Sequence, residues 1–321
     1  MEQLNDRVLR LSKHNMSIVG LIIANLIWGA ASPIFKWSLQ DIEPFTLAFL
    51  RFFLGALILL PFTLHALHVD KKDWVKLLLI ALTGITINIS FFFLGLQKTA
   101  SVNSPIIASA APVIIILGSM LFLGERPKKI VILGTLLSLL GVISIIIEPM
   151  IESGLDASVI GNLFLILSLF GSVLHTILLK GFTRKYSSLT ITFWSFFIGS
   201  FSFLPMMAVE VKTHGFLTDL TMQGLIGIIF GAVLASAVAY YLYALALKYV
   251  IASEVSIFTY MDPIVAILIA IPLLGEKITP VFIIGSILVF LGILIAEKRL
   301  AWHPIHKLRL KELARTDTNT V

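Results

Sequence analysis

Long runs of apolar residues dominate this chain of 321 residues. Stretches without Asp, Glu, Lys or Arg lie at 14–35, 52–69, 77–97, 99–124, 130–147, 157–179, 186–209, 220–247 and 278–296. Another apolar stretch, near 253–274, is interrupted by Asp262 and bracketed by Glu254 and Glu276. A helix needs about 20 mostly apolar residues to cross the hydrocarbon core of a bilayer. The pattern therefore predicts ten spans, near 16–37, 45–66, 75–97, 102–123, 130–148, 159–180, 190–208, 222–247, 253–274 and 279–296.

The apolar runs are continuous rather than alternating. A membrane β-barrel would need segments of about 10 residues in which apolar and polar side chains alternate. Leu77–Leu82 and Val113–Leu117 are uninterrupted apolar runs, which contradict that pattern. The sequence therefore predicts an all-α membrane protein built as a helical bundle.

The composition agrees with a membrane protein and removes several alternatives. Hydrophobic residues make up 58% of the chain and charged residues 13%, whereas soluble domains carry about 25% charged residues. The chain contains no cysteine. Disulfides, thiolate zinc sites, iron–sulfur clusters and cysteine nucleophiles are therefore excluded.

Lysines and arginines are distributed unevenly between the two sides of the predicted membrane. With the N-terminus in the cytoplasm, 19 of them fall in cytoplasmic segments and four, Lys36, Lys98, Lys212 and Lys277, fall on the other side. This distribution fits the rule that cytoplasmic loops carry the excess of Lys and Arg. We expect both termini in the cytoplasm, a location in the cytoplasmic membrane, and a first span that is a retained signal anchor. The net charge of +6 is then an orientation signal and not a nucleic-acid-binding surface.

The chain also contains an internal repeat. At an offset of 151 residues, Pro112, Gly124, Glu125, Gly134 and Gly141 fall on Pro263, Gly275, Glu276, Gly285 and Gly292. Earlier in each half the offset is 144, and Lys36 falls on Lys180. The predicted units are a tail (1–16), repeat one (17–148), repeat two (159–297) and a basic tail (298–321). Five spans is an odd number, so the second repeat enters the bilayer inverted, as in many secondary transporters.

These features resemble the EamA-type family of the drug/metabolite transporter superfamily. The matching residues are Trp28-Gly29, Lys36, Leu50-Arg51-Phe52, Pro112…Leu123-Gly124-Glu125, Asp262-Pro263…Leu274-Gly275-Glu276, Gly134, Gly141, Gly285 and Gly292. The resemblance implies a ten-helix fold whose central cavity is lined mainly by spans 1, 3, 4, 6, 8 and 9. It also implies export or exchange of amino acids, metabolites or drugs without ATP. The sequence departs from the family pattern at Gly171-Ser172, where a tryptophan–glycine pair is expected.

Asp262 is the first candidate for a functional residue. Ionisable side chains at membrane depth are costly, so each is a functional hypothesis by default. Asp262 lies nine residues into its span and directly before Pro263, which interrupts helical hydrogen bonding. It could carry a proton, anchor a cationic substrate, or act as a structural partner. Glu254, on the same helical face, and His175 in span six are further proton-coupling candidates.

Two further groups of side chains complete the candidate site. Those predicted to line the cavity, or else to join helices, are Asn25, Trp28, Asn88, Asn103, Tyr240 and Tyr243. Those predicted to have structural or gating roles are Lys36, Arg51, Pro112, Glu125, Lys180, Pro263 and Glu276. Within this group we expect Arg51 to contact Glu43 or Asp41. We also expect Glu125 and Glu276 each to cap the start of the next helix.

Motifs for nucleotide binding, zinc hydrolysis and serine hydrolysis are missing from the sequence. We therefore predict a secondary transporter of a small organic solute. We do not expect an enzyme, a cofactor or a metal. An amino acid or related metabolite is expected, moved outward, with protons as one coupling option. An uncoupled facilitator, an exchanger or a multidrug exporter of the same fold is the alternative. Expected partners are the solute and the lipid bilayer; the oligomeric state is open, a homodimer included.

Overall fold

The computed structural model describes residues 2–111, 114, 129–153, 157–217, 220–249 and 258–297. Every regular element in these ranges is helical, as the continuous apolar runs predict. The described helices are α1 Glu2–Ser38, α2 Pro44–Thr63, α3 Trp74–Ala81, α4 Asn88–Leu96, α5 Asn103–Ser109, α6 Lys129–Ser153, α7 Ala157–Phe182, α8 Ser188–Ser202, α9 Leu204–His214, α10 Met222–Ile229, α11 Ala239–Tyr249, α12 Asp262–Leu274 and α13 Pro280–Glu297.

Two π-helical segments connect consecutive helices into longer rods. Leu82–Ile87 joins α3 to α4, and Phe230–Val238 joins α10 to α11. Short 3-10 turns lie at Leu64–Ala66, Lys71–Asp73 and Thr259–Met261.

Several of these rods are long and apolar enough to cross a membrane. Five qualify in the described part of the chain: Met16–Ser38, Pro44–Ala66, Lys71–Leu96, Ser158–Phe182 and Met222–Leu247. A sixth is formed if α8 and α9, which meet at a bend of 46°, are counted together. Three shorter apolar helices accompany them, at Ile132–Glu148, Thr259–Leu274 and Pro280–Ile295. The prediction of an all-helical, multi-pass membrane protein is confirmed for these residues.

The bundle is held together by helices that are distant in the sequence. α1 packs against α11 and α12, α4 against α7, α2 against α8, and α6 against α13. A core of buried apolar side chains, among them Phe35, Phe52, Phe93 and Phe196, fills the centre between α1, α2, α4 and α8.

Glycines allow α6 and α13 to approach closely. A Cβ on Gly141 would lie 2.4 Å from the carbonyl oxygen of Gly285, and a Cβ on Gly292 would lie 2.5 Å from that of Gly134. Helices in lipid associate through close packing at small residues, because lipid tails are as apolar as leucine. The spacing of these glycines therefore sets the contact between the two helices.

Charged side chains join the loop after α2 to the loop after α7. Lys185 donates to both Asp70 and Asp73, and Tyr186 Oη donates to Asp73 at 2.6 Å. The hydrogen bond from Lys185 lowers the pKa of Asp70. These groups therefore link two loops that are more than a hundred residues apart in the sequence.

We expect Gly141→Leu to destabilise the protein by about 1–3 kcal/mol, because the added side chain meets backbone. Unfolding titrations in detergent measure the effect. Leu140→Ala is the matched control, since the Leu140 side chain is 57% exposed on the outer face of the same helix. An unfolding free energy that is the same for Gly141→Leu and for the control would contradict the close contact.

We expect Lys185→Met to reduce the melting temperature slightly at pH 7 and to have less effect in acid. The pKa of Asp70 is lower in the folded than in the unfolded state, so the ion pair stabilises above the ordinary Asp pKa of about 3.9. This contribution is lost as the pH falls through the lowered pKa of Asp70. Thermal melts between neutral and acidic pH measure it, with Lys71→Met as the control. A difference from the native protein that is constant with pH would contradict the assignment.

Candidate functional site

A large cavity lies inside the described bundle. Its volume is about 520 Å³, within the range of roughly 300–1,000 Å³ that holds small molecules. Helices α1, α2, α4, α5, α7, α11 and α12 contribute to its wall, so both halves of the chain line it. The wall is mostly apolar and carries a few polar groups.

The cavity collects many of the residues singled out from the sequence. Those in its wall are Trp28, Arg51, Asn88, His175, Lys180, Tyr240, Tyr243 and Asp262. Asn25 and Asn103 were expected there but do not line it. Asn25 Nδ2 donates to Leu21 O in its own helix, and Asn103 Nδ2 donates to Thr99 Oγ1 and Asn162 Oδ1. The Asn25 amide therefore bonds within α1, whereas the Asn103 amide joins the start of α5 to α7. Glu254, Pro112 and Glu125 lie outside the described residues.

Asp262 begins α12 directly after the 3-10 turn Thr259–Met261. Pro263 occupies the first turn of that helix, where the missing N–H has no intrahelical acceptor to lose. The proline therefore starts a helix here. Asp262 is buried, and its Oδ1 has no hydrogen-bond partner among the described residues. A buried polar atom without a partner is costly, so this carboxyl group is suited to a proton or a ligand atom.

Aromatic side chains form the part of the cavity wall that α1 and α11 contribute. The Trp28 ring lies 5.3 Å from the Tyr240 ring and 5.2 Å from the Tyr243 ring, between centroids. Trp28 Nε1 donates to Ala235 O at 3.1 Å, and Tyr243 Oη lies 3.0 Å from Thr176 Oγ1. These bonds hold the rings at fixed positions around the cavity.

Asn88 and the glycine next to Ser172 bring α4 and α7 into contact. Asn88 Nδ2 donates to Ser168 O at 3.2 Å. A Cβ on Gly171 would lie 3.0 Å from Asn88 N. The Gly171-Ser172 pair, where the sequence departs from the family pattern, therefore permits this close approach, and Ser172 lines the cavity.

His175 binds the backbone of the neighbouring rod. Its Nδ1 lies 3.0 Å from Ile80 O, just before the π-helical segment Leu82–Ile87. A Cβ on Gly84 would lie 2.0 Å from the same Nδ1. The ring therefore occupies space that a side chain at position 84 would need.

Arg51 does not make the ion pair expected of it. Asp41 accepts backbone N–H groups of Thr221 and Gly224, and Glu43 lies 3.3 Å from His214. Arg51 instead lies buried among aromatic rings, in the cavity wall. The expectation was wrong because Arg51 points into the bundle instead of reaching out to the helix end.

Lys36 and Glu276 form an ion pair of 3.0 Å at one end of the bundle. Lys36 Nζ also donates to Thr99 O at 2.7 Å. Glu276 accepts the N–H groups of Ser101 and Val102 at the start of α5. The next helix, α13, is capped by Thr279 instead, whose Oγ1 accepts from Phe282 N. Capping of the following helix by Glu276 was therefore a wrong expectation, because the carboxylate reaches a helix of the other half.

Lys180, which the repeat relates to Lys36, makes a comparable contact within the second half of the chain. Its Nζ donates to Leu247 O at 2.5 Å, near the end of α11.

Sequence reasoning missed one polar face of the cavity. Ser168, Ser172, Thr176 and Lys180 recur every four residues along α7, and all line the cavity. That spacing places side chains on one helical face. The periodicity of small polar residues could have revealed the stripe before the structure did. In the described part of the chain no group of three His, Asp or Glu side chains could hold a metal ion.

The fold and the cavity define a class, helical membrane proteins with a solute-sized central chamber. The EamA-like transporter family matches residues 15–147 and 159–297. The chain belongs to this family, which confirms the resemblance to the drug/metabolite transporter superfamily seen in the sequence. Membership places the chain among transporters.

Curated relatives and a solved structure agree with the family. An uncharacterized transporter of Archaeoglobus fulgidus is 26% identical and covers 85% of this chain and 94% of its own length. The uncharacterized transporter YetK of Bacillus subtilis is 26% identical over 89% and 88% of the two chains. A chloroplastic WAT1-related protein of Arabidopsis thaliana is 25% identical over 85% and 67%. One crystal structure aligns with a TM-score of 0.61 at 16% identity, covering 89% of this chain and 97% of that chain, and shows the fold alone.

We expect Gly84→Ala to destabilise the protein by about 1–3 kcal/mol, because its methyl group meets the His175 ring. His175→Ala alone removes the contact with Ile80 O. The double variant should be less destabilised than the sum of the two, since the shorter side chain makes room for the methyl group. A double-mutant cycle of detergent unfolding measures the difference. Strict additivity would contradict the packing of the imidazole against Gly84.

Proposed function

We propose that this protein is a secondary transporter that moves a small organic solute by alternating access around the central cavity. The solute is an amino acid or a related metabolite, and the direction is outward across the cytoplasmic membrane. The proposed fold has ten spans in two inverted repeats, with both termini in the cytoplasm. The observation that carries the proposal is the cavity itself, which is walled by both halves of the chain and contains Asp262, whose Oδ1 has no hydrogen-bond partner among the described residues.

Packing between α6 and α13 supports the inverted repeats. The offset of 151 residues relates Gly134 to Gly285 and Gly141 to Gly292. Gly141 faces Gly285, and Gly292 faces Gly134, so exchanging the two repeats reproduces the same pair of contacts. A two-fold axis generates this reciprocal pattern between identical surfaces.

Two further features recur at corresponding positions. Each repeat has a π-helical segment within its third rod, Leu82–Ile87 in the first and Phe230–Val238 in the second. Lys36 and Lys180, related by the offset of 144, each donate to a carbonyl oxygen at the end of the third rod of a repeat, Thr99 O and Leu247 O. π-Helical segments are frequent at functional sites and interrupt regular helix geometry. They supply the two halves with matching places to bend.

The Lys36–Glu276 pair supports an assignment of gating at one end of the cavity. It ties α1 to the chain after α12 and, through Ser101, to the start of α5. Opening the bundle between these helices requires the pair to separate. In this proposal Lys36 and Glu276 close one side of the cavity.

Asp262 is proposed as the site of a proton or of the cationic group of the solute. Both assignments use a carboxyl group with no partner in the described protein. An uncoupled facilitator or exchanger of the same fold uses it for the solute alone. Dependence of transport on a pH gradient separates the two.

Proteoliposome counterflow tests the proposal. Purified protein is reconstituted with a panel of unlabelled amino acids inside, and uptake of each labelled amino acid is followed with and without a pH gradient. We expect saturable counterflow of at least one member. Folded protein that shows no counterflow of any amino acid or of common drugs would overturn the proposed function.

We expect Asp262→Asn to abolish the response of transport to the pH gradient, because an amide carries no proton at this site. Counterflow without a gradient persists if Asp262 carries a proton, and is lost if it binds the solute. Glu43→Gln is the matched control, since Glu43 lies in an exposed pair with His214, away from the cavity. A full pH-gradient response in Asp262→Asn would remove Asp262 from the coupling site.

A further inference from the structure

Arg51 is a buried cation in the cavity wall. It lies on α2, is 2% exposed, and Nε donates to Ser236 Oγ at 3.1 Å. Its guanidinium carbon lies 4.5 Å from the ring centroid of Phe35 and 4.5 Å from that of Phe52. The rings and the serine hold the guanidinium in one position.

No carboxylate in the described ranges forms an ion pair with this guanidinium. The aspartates and glutamates that form ion pairs there do so with Lys36, Lys185, His68 or His214. Asp262 shares the cavity with Arg51, yet its Oδ1 is without a partner. The two ionisable groups therefore line one chamber without forming an ion pair with each other.

The aromatic contacts do not satisfy the guanidinium. In a cation–π contact the positive charge lies over the face of an aromatic ring. The five N–H donors of arginine, by contrast, point outward in the plane of the guanidinium group and still need acceptors. One of them is used at Ser236. The terminal amino groups make no hydrogen bond to a described residue, and they belong to a side chain that lines the cavity. A planar, bidentate oxyanion entering from the cavity matches this edge.

We propose that Arg51 is a carboxylate-binding subsite of the cavity, so that the solute carried is a carboxylate-bearing molecule. This inference rests on the proposed transport function and narrows its substrate class. A zwitterion places its carboxylate at Arg51 and leaves its ammonium group for Asp262. Trp28 and Tyr243 then face the remaining apolar part of the solute.

Matched ligands test the subsite directly. Purified protein in detergent is titrated with amino acids and with the corresponding amino-acid amides, which keep the ammonium group and side chain but lack the carboxylate. Ligand that binds the folded state raises the melting temperature. We expect the amino acids that bind to exceed their amides in affinity by about tenfold or more. Equal affinities, or no binding of any carboxylate to the folded protein, would overturn the proposal.

Variants then assign the selectivity to Arg51. Arg51→Met keeps an unbranched side chain for packing and removes the donors; it should abolish the preference for acid over amide. Arg51→Lys keeps the charge without the planar fork and should weaken carboxylate binding while preserving some preference. Arg184→Met, in the exposed loop after α7, should behave as the native protein. An Arg51→Met protein that still prefers the acid would refute the assignment.

A second measurement needs no variant at position 51. Phenylglyoxal modifies accessible arginines, and mass spectrometry reports each site separately. Excess of a bound amino acid should slow modification of Arg51 and leave Arg184 unaffected, whereas the amide should protect neither. Equal modification of Arg51 with and without the amino acid would count against the subsite. If binding depends on Arg51 but no counterflow is seen, the transport function is overturned and the subsite stands. If counterflow occurs equally with solutes that lack a carboxylate, the subsite is overturned and the transport function stands.

Discussion

The structure depends on one constraint, that lipid offers no hydrogen bonds to the backbone. Helices satisfy this requirement within each segment, but every interruption of a helix creates a need for another donor or acceptor. The π-helical segments meet it with side chains from neighbouring rods. Trp28 Nε1 donates to Ala235 O within one segment, and His175 lies against Ile80 O beside the other. The same side chains form part of the cavity wall, so the interruptions and the chamber are built together.

Close approach of backbones is the second element of the architecture. The glycines of α6 and α13, and Gly84 and Gly171 around α7, stand where a Cβ would overlap a neighbour. In water, burial of large apolar side chains would drive such packing. In lipid, small residues give backbones the contact distance that van der Waals attraction needs. The small residues hold the bundle together, and the larger aromatic side chains are left to surround the space between helices.

The ionisable side chains of the bundle are accommodated in different ways. The difference separates those that hold helices together from those that could bind a solute or a proton. Lys36 and Glu276 neutralise each other at a bundle end. Arg51 lies against aromatic rings, and Asp262 Oδ1 has no hydrogen-bond partner in the part of the chain that the structure describes. A charge that is paired stabilises an arrangement of helices. A charge that is left unpaired inside a cavity is available to a solute or a proton.

The sequence alone determined the helical membrane class and the family, because long apolar runs and repeated Gly, Pro and Glu residues are local or ordered along the chain. It could not place side chains around a helix relative to distant neighbours. Asn25 and Asn103 were therefore assigned to a cavity they do not line, and Arg51 was paired with acids it does not contact. The polar face of α7 appeared in the sequence only as a spacing of four residues between Ser168, Ser172, Thr176 and Lys180. Which groups converge on one chamber was decided by tertiary packing, because that depends on helix rotation and on the close contacts that small residues allow.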